Sequence, residues 1–475
     1  MPAAPQSQHA PLLPLTALTT FLVPAAAVLL LAGAVPVTVL TPAYEAGVTA
    51  LAYGEPVTAG LAAVVAVVTA RLGGRVHMTW LLALTGLLVA TALLGFFGSS
   101  GYSGAVTVSS YLVLRSIIAV CAGIALGAAF SRAWSYESPV PAIAAVSGTG
   151  ATLLLAEALA RPASGLFPGA YLLGSTSGAT LVTWSVLACA ISAAIMAMIL
   201  DAAPPPALAR ETISRARAGL AGTAGIVVIL AALQIAGVDV LARAGLFWPP
   251  AARFAAGAAV IAILFLATWL AAMWLGLNDS PWSGALLLVA TAVAAAALPV
   301  IPAVPRIGAW WVLLVVAIVF IAALALGVAV RHRGYHAVNG LLALAVVPVV
   351  GLIAGGTAIG VFVQLILVAL GGGFALGVCL PGAGPAATLL GFGVIFTAHT
   401  YNALLGGAPS TGAVPVSLFT GSANEIPHSW WAVIPEGSGA ILSVALVGLC
   451  GVGVLTCGYT AYRLARRGGG PPPKM

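Results

Sequence analysis

AVVTARLGGR, residues 66–75, lies between two long apolar runs. Its Arg71, Gly73, Gly74 and Arg75 make a tight basic turn where one run leaves a hydrocarbon phase and the next re-enters it. GVAVRHRGYH, residues 327–336, repeats this grammar in the second half of the chain, again between two apolar runs. Matching loops predict a membrane protein built from two related halves.

Composition requires the membrane. The chain has 475 residues, 62% of them hydrophobic and only 6% charged, with a mean hydropathy of +1.15. It lacks the polar surface that would cover a core in water. A bilayer core about 30 Å thick takes roughly 20 apolar residues per helix, so the length accommodates about a dozen or more spans. The apolar segments are continuous runs without two-residue alternation, which predicts helices and not a barrel. The fold class is therefore all-α and polytopic.

Fourteen spans are predicted, near 17–40, 45–70, 77–97, 109–132, 139–160, 172–200, 217–238, 252–275, 283–303, 308–330, 337–356, 358–380, 383–403 and 438–463. Gly355 and Gly356 alone separate two of them; a kink there would reduce the count to thirteen. Charge favours the even count. With the N-terminus inside, Arg71, Arg75, Arg132, Arg210, Arg215, Arg217, Arg331, Arg333, Arg463, Arg466, Arg467 and Lys474 fall on the cytoplasmic side, against Arg115, Arg161, Arg243, Arg253 and Arg306 outside. Inner loops collect cations, so both termini are expected in the cytoplasm. The N-terminus MPAAPQSQHAPLL has no basic leader, which predicts an uncleaved first span.

The organisation expected is an N-terminal six-helix bundle over 1–200 and a linker with two accessory helices over 201–280. A C-terminal six-helix bundle over 281–463 and a disordered basic tail over 464–475 complete it. DAAPPPALARETISRAR, residues 201–217, is the polar linker that closes the first unit. The net charge of +7 is spread singly or in pairs over helix ends, so no nucleic-acid groove forms. The five cysteines lie inside apolar runs without the spacing of a metal site or a disulfide framework, and no cofactor motif occurs.

These features together resemble the major facilitator superfamily, in particular its fourteen-helix drug:proton antiporter branch. That family carries G-x-x-x-D-R-x-G-R-R after its second helix. Here Ala66, Ala70, Arg71, Gly73 and Arg75 occupy the places of the Gly, Asp, Arg, Gly and final Arg. In the second copy Gly327 and Gly334 match, with Arg331 at the acidic place. SYLVLRSIIAVCAGIALG sets Arg115 where the family's fourth helix has an arginine, and QLILVALGGGFALGVCLPGAG is similar to the glycine-rich tenth helix of the twelve-helix plan. AVSGTGATLLLAEALA lacks the family's Gly-Pro pair. The resemblance implies two bundles rocking around a central cavity, a small-molecule substrate and proton coupling. It also implies a latch role for the loop carboxylate, which Ala70 replaces.

Charges in lipid cost roughly 3 kcal/mol or more apiece at mid-bilayer, so the few buried ones are the sharpest candidates. Glu55 is expected about ten residues into the second span, roughly 15 Å deep, and Arg115 at a similar depth in the fourth. They are the proton-coupling candidates, with protonation of Glu55 weakening the pair. Arg71, Gly73, Arg75, Arg331 and Gly334 are the gating-loop candidates. Gln364, Gln234 and His399 are the candidates to line a mostly apolar cavity suited to hydrophobic or amphiphilic cargo. Glu157 and Arg161, four apart, read as a structural ion pair. His332 and His336 have zinc-like spacing but no acidic third ligand and two arginines beside them. No nucleophile elbow or phosphate loop points to an enzyme; only Asn424, Glu425, His428 and Glu436 on one long outer loop offer an alternative of that kind. The reading is a proton-coupled efflux transporter in a bacterial cytoplasmic membrane, plausibly monomeric. The alternative is a non-transporting scaffold of the cell envelope on the same fold.

Overall fold

The computed structural model describes residues 13–31, 39–40, 44–72, 76–98, 106–136, 138–160, 178–200, 222, 225–230, 232–233, 236–237, 250–297, 300, 310–331, 337–354, 357–397 and 438–467. Helices α1 to α6 are Leu13–Leu31, Tyr44–Leu72, Val76–Gly98, Val108–Ala133, Val140–Ala160 and Gly178–Leu200. Helices α7 to α13 are Pro250–Asn278, Pro281–Ala297, Trp310–Val330, Val338–Ala354, Ala358–Cys379, Pro385–Thr397 and Ser438–Arg467. Residues 225–230 are also helical. Among the described residues, eight helices are long and apolar enough to cross a membrane, and five shorter helical stretches are apolar as well. Two-residue strands β1 (Val39–Leu40) and β2 (Val106–Thr107) pair in parallel.

The protein is an all-α, polytopic membrane protein in which one packing plan occurs twice. In the first half α2 packs on α4, α1 on α5, α4 and α6, and α3 on α4 and α6. In the second half α9 packs on α11, α8 on α12, α11 and α13, and α10 on α11 and α13. The match extends to single residues. A Cβ added to Gly123 would lie 2.6 Å from the Ala62 carbonyl oxygen, and one on Gly373 would lie 2.6 Å from that of Phe320. One turn on, Gly127 meets Ala66 and Gly377 meets Leu324 in the same way. On the other face of the same helices, Gly86 lies against Cys121 and Ala125, and Gly340 against Gly371 and Ala375. Small residues let these backbones approach closely where lipid supplies no hydrophobic drive between helices.

These contacts correct the register read from the loops. Ala66 corresponds to Leu324, and Ala70 therefore to Val328. Gly327 stands at the place of Thr69, and Arg331 falls three residues beyond the place of Ala70, not on it. Matching by glycine and arginine identity aligned loop residues; backbone proximity aligns the helices themselves.

The same contacts fix the direction of each helix. α2 runs parallel to α4, and α9 parallel to α11. α4 and α11 end together, since the Trp134 indole Nε1–H donates to the Ala383 carbonyl at 2.9 Å. The turns after α2 and α9 thus lie on one face, termed here the hairpin face. α1 begins there too, with Thr16 Oγ1 3.3 Å from Tyr136 Oη. α6 ends there, because Thr19 near the start of α1 donates to Ala193 near the end of α6. α8 starts there, because Ser280 Oγ donates to the Gly382 carbonyl at 2.7 Å. α7 forms a hairpin with α8, with Gly284 against Ala272 and Gly276, so α7 starts on the opposite face. Leu200 and Pro250 therefore stand on opposite faces.

The Gly355–Gly356 pair separates two helices. α11 opens with Thr357 as its N-cap, whose Oγ1 accepts from the Gly360 N–H at 3.0 Å. α10 and α11 run antiparallel, pairing Gly340 with Gly371 and Val347 with Gln364. α8 ends at Ala297, short of the predicted 303, just before Pro299 and Pro302, residues that cannot donate to a helix ladder. α1 occupies 13–31 where 17–40 was expected; its end is capped from α4, as described next.

Candidate functional site

Three features lie where the two halves meet or where a charge is held inside the bundle. The first is a crosswise seam. α5 packs on α9 of the other half and α12 packs on α2, so each half lends its fifth helix to the other's second. Both fifth helices carry G-x-G, as Gly148-Thr149-Gly150 and Gly391-Phe392-Gly393. The first glycine of each faces its own half, Gly148 against Phe21 and Gly391 against Leu286. The second faces the other half: Gly150 meets the Phe320 ring, and a Cβ on Gly393 would lie 2.9 Å from the Ala63 Cβ. Beside Gly148, Ser147 is 2% exposed and its Oγ has no hydrogen-bond partner among the described residues. Thr149, Thr268 and Thr291 instead donate to the carbonyl four residues back.

The second feature is Arg115, 6% exposed on α4. Its Nη1 donates to the Leu30 carbonyl at 3.2 Å and its Nη2 to the Leu31 carbonyl. These carbonyls belong to the last turn of α1 as it is described, Leu13–Leu31, and a cation beside a helix C-terminal turn meets the negative end of the dipole. Arg115 therefore ties α4 to the end of α1. Glu55 belongs to α2, with its side chain outside the described set. The parallel register of α2 and α4 runs from Ala62 at Gly123. Two turns back along both helices, Arg115 is level with Gly54 and Glu55.

The third feature is the hairpin face. Arg132, 3% exposed, donates from Nη1 to Ser135 Oγ and from Nη2 to Tyr136 Oη, each at 2.9 Å, and lies 4.6 Å from the Tyr136 ring centroid. Phe130 stacks on Trp134 at 5.4 Å and meets Phe392 of α12 edge-on at 6.2 Å. Arg331 follows α9 and lies 4.5 Å from the Trp282 ring centroid. Partial burial pulls its pKa below the ordinary arginine value, opposed by the Cys379 sulfur. Arg71 is in the last turn of α2, and its buried Nε has no hydrogen-bond partner among the described residues.

Of the other candidates, Gln364 is 6% exposed and its Nε2 donates to the Val347 carbonyl at 3.1 Å, between α11 and α10. Gly73, Arg75, Gly334, Gln234 and His399 lie outside the described residues, as do His332, His336, Arg161 and the loop with Glu425, His428 and Glu436. The sequence held signals that the loop pattern did not use. GIALG at 123–127 and GFALG at 373–377 differ at one position, and the two G-x-G steps stand in equivalent helices.

No family model and no curated protein matches the chain. Among solved structures it is similar to the xylose transporter XylE from E. coli in a partially occluded inward-open conformation. That likeness has a TM-score of 0.46 and 14% identity, covering 91% of this chain and 95% of that one. It is also similar to an auto-inhibited POT family peptide transporter, with a TM-score of 0.43 and 14% identity over 95% of this chain and 96% of that one.

Proposed function

We propose that the protein is a secondary transporter of the major facilitator type, which exports hydrophobic or amphiphilic small molecules in exchange for protons by alternating access. The observation that carries this reading is the crosswise seam. Two bundles with one packing plan meet where small residues of α5 and α12 touch α9 and α2. Such seams let one bundle rock against the other with little interdigitation to break. In this reading the bundles span 1–200 and 281–463, with 201–280 as linker and accessory helices.

The hairpin face is assigned to the cytoplasm of a bacterial inner membrane. Arg71, Arg132 and Arg331 stand at the hairpin-face ends of α2, α4 and α9, and the positive-inside rule supports this orientation. Glu55 is assigned as the proton carrier, level with the guanidinium of Arg115. In this reading an ionised Glu55 on α2 is attracted by that cation on α4, and protonation removes the attraction and loosens α2 from α4. The apolar composition of the helices suits a cargo whose own hydration is weak.

The test is efflux of a fluorescent hydrophobic dye from vesicles carrying the full chain, with and without a protonophore. Efflux above that of empty vesicles, abolished by the protonophore, is expected. Glu55→Gln, which retains size but not charge, is expected to reduce the proton-driven component to background. Unchanged proton-driven efflux in Glu55→Gln would remove Glu55 from coupling, and efflux indifferent to the protonophore would remove the proton.

A further inference from the structure

We propose that the indole of Trp134 is the latch that holds the two halves together at the hairpin face. The inference rests on the rocking of two halves described above and concerns what opposes it. In the family this chain resembles, a loop carboxylate after the second helix helps to latch the halves. Ala70 stands at that place and has no charge to offer.

The positive end of α12 receives its counter-charge from outside the helix. Gly384 is the N-cap of that helix, its carbonyl accepting from the Thr388 N–H at 3.1 Å, and it has no side chain to offer. Asp279 lies beside it, with Oδ2 3.8 Å from where a Gly384 Cβ would be and held by Ser283 Oγ at 2.7 Å. A carboxylate beside a helix N-terminus is favourable. Asp279 lies in the turn that leads into α8, which packs on α12 within one half, so this attraction holds nothing across the seam.

Trp134 does reach across. Stacking on Phe130 at an interplanar angle of 16° aims its ring, and its N–H meets the Ala383 carbonyl at 2.9 Å. The acceptor is itself fixed. Ala383 N–H donates to Leu380 at 3.2 Å, and the adjacent Gly382 carbonyl accepts from Ser280, the N-cap of α8. A directional bond from one half thus ends on a short connection braced by the other. Because rocking must separate α4 from the α11–α12 connection, this bond is broken in each cycle and biases the face toward closure.

Spin labels at Ser138→Cys and Asn278→Cys, in a Cys189→Ser background of the full chain in lipid nanodiscs, report the distance between the halves at this face. Trp134→Phe keeps a ring against Phe130 and removes only the N–H. A single neutral hydrogen bond shifts a two-state ratio by about fivefold. The long-distance population is therefore expected to rise about fivefold in Trp134→Phe and to stay unchanged in Asp279→Asn. If the parent shows two distances that Trp134→Phe leaves in the same proportion, the latch is wrong although the rocking stands. If Asp279→Asn shifts them and Trp134→Phe does not, the charge is the latch and the proposal falls. A parent with one distance at every pH and cargo concentration would remove the rocking and the latch together.

Discussion

Gly127→Leu and Gly377→Leu are each expected to abolish accumulation of folded protein, and to do so to the same degree. At both positions even a Cβ overlaps the backbone carbonyl of a parallel helix, Ala66 in one half and Leu324 in the other. Backbone cannot rotate away as a side chain can, so the helices must separate along their length. Forcing atoms into a packed interior costs about 1–3 kcal/mol in ordinary cases, and backbone against backbone is worse. A net stability of about 5–15 kcal/mol leaves little room for it. The milder Gly127→Ala and Gly377→Ala should lower the Tm in detergent by similar amounts. Gly448→Ala and Gly458→Ala on α13 meet nothing within 4 Å and should be tolerated, since alanine favours helix over glycine by about 1 kcal/mol. A tolerated Gly377→Ala beside a damaging Gly127→Ala would contradict the equivalence of the two halves.

Arg115→Met should be the next most damaging change. It removes both donors that reach the Leu30 and Leu31 carbonyls. A buried acceptor left without a partner costs about 1–3 kcal/mol, so roughly 3 kcal/mol is expected for the pair. The loss should concentrate at the end of α1, where hydrogen exchange of residues around Leu31 would rise. Arg115→Lys should recover only part of the stability, because an ammonium group is a single point of donation where the guanidinium spans two carbonyls. A Tm for Arg115→Met equal to that of the parent would show that α1 does not depend on this cap.

The helices were largely legible in the sequence, because continuous apolar runs interrupted by polar or glycine-proline turns translate directly into spans. The expected 109–132 and 358–380 became Val108–Ala133 and Ala358–Cys379. The end of α1 was not legible. The chain stays apolar past Leu31, and no local pattern announces that Arg115, 84 residues away in sequence, reaches the Leu31 carbonyl. The duplication was legible, but its register was not: arginines and glycines at helix ends tolerate shifts of a turn, whereas the glycines inside α4 and α11 do not. The candidate site was legible only in part. Buried charge in a lipid-solvated chain pointed to Arg115, and nothing in its local sequence names the carbonyls it meets. The seam glycines escaped notice because G-x-G in an apolar run has no meaning until the partner helix is known. Trp134 escaped for the same reason.

Cross-linking Ala63→Cys to Gly393→Cys, in a Cys189→Ser background, tests the rocking of the halves most directly. The two Cβ positions are 2.9 Å apart, and a slight parting of α2 from α12 meets the 3.5–4.5 Å that a disulfide takes. Oxidation ties one half to the other across a seam that must shear in each cycle. Dye efflux from vesicles should fall to that of empty vesicles on oxidation and return on reduction. Full protonophore-sensitive efflux from the fully cross-linked protein would contradict alternating access by these two halves.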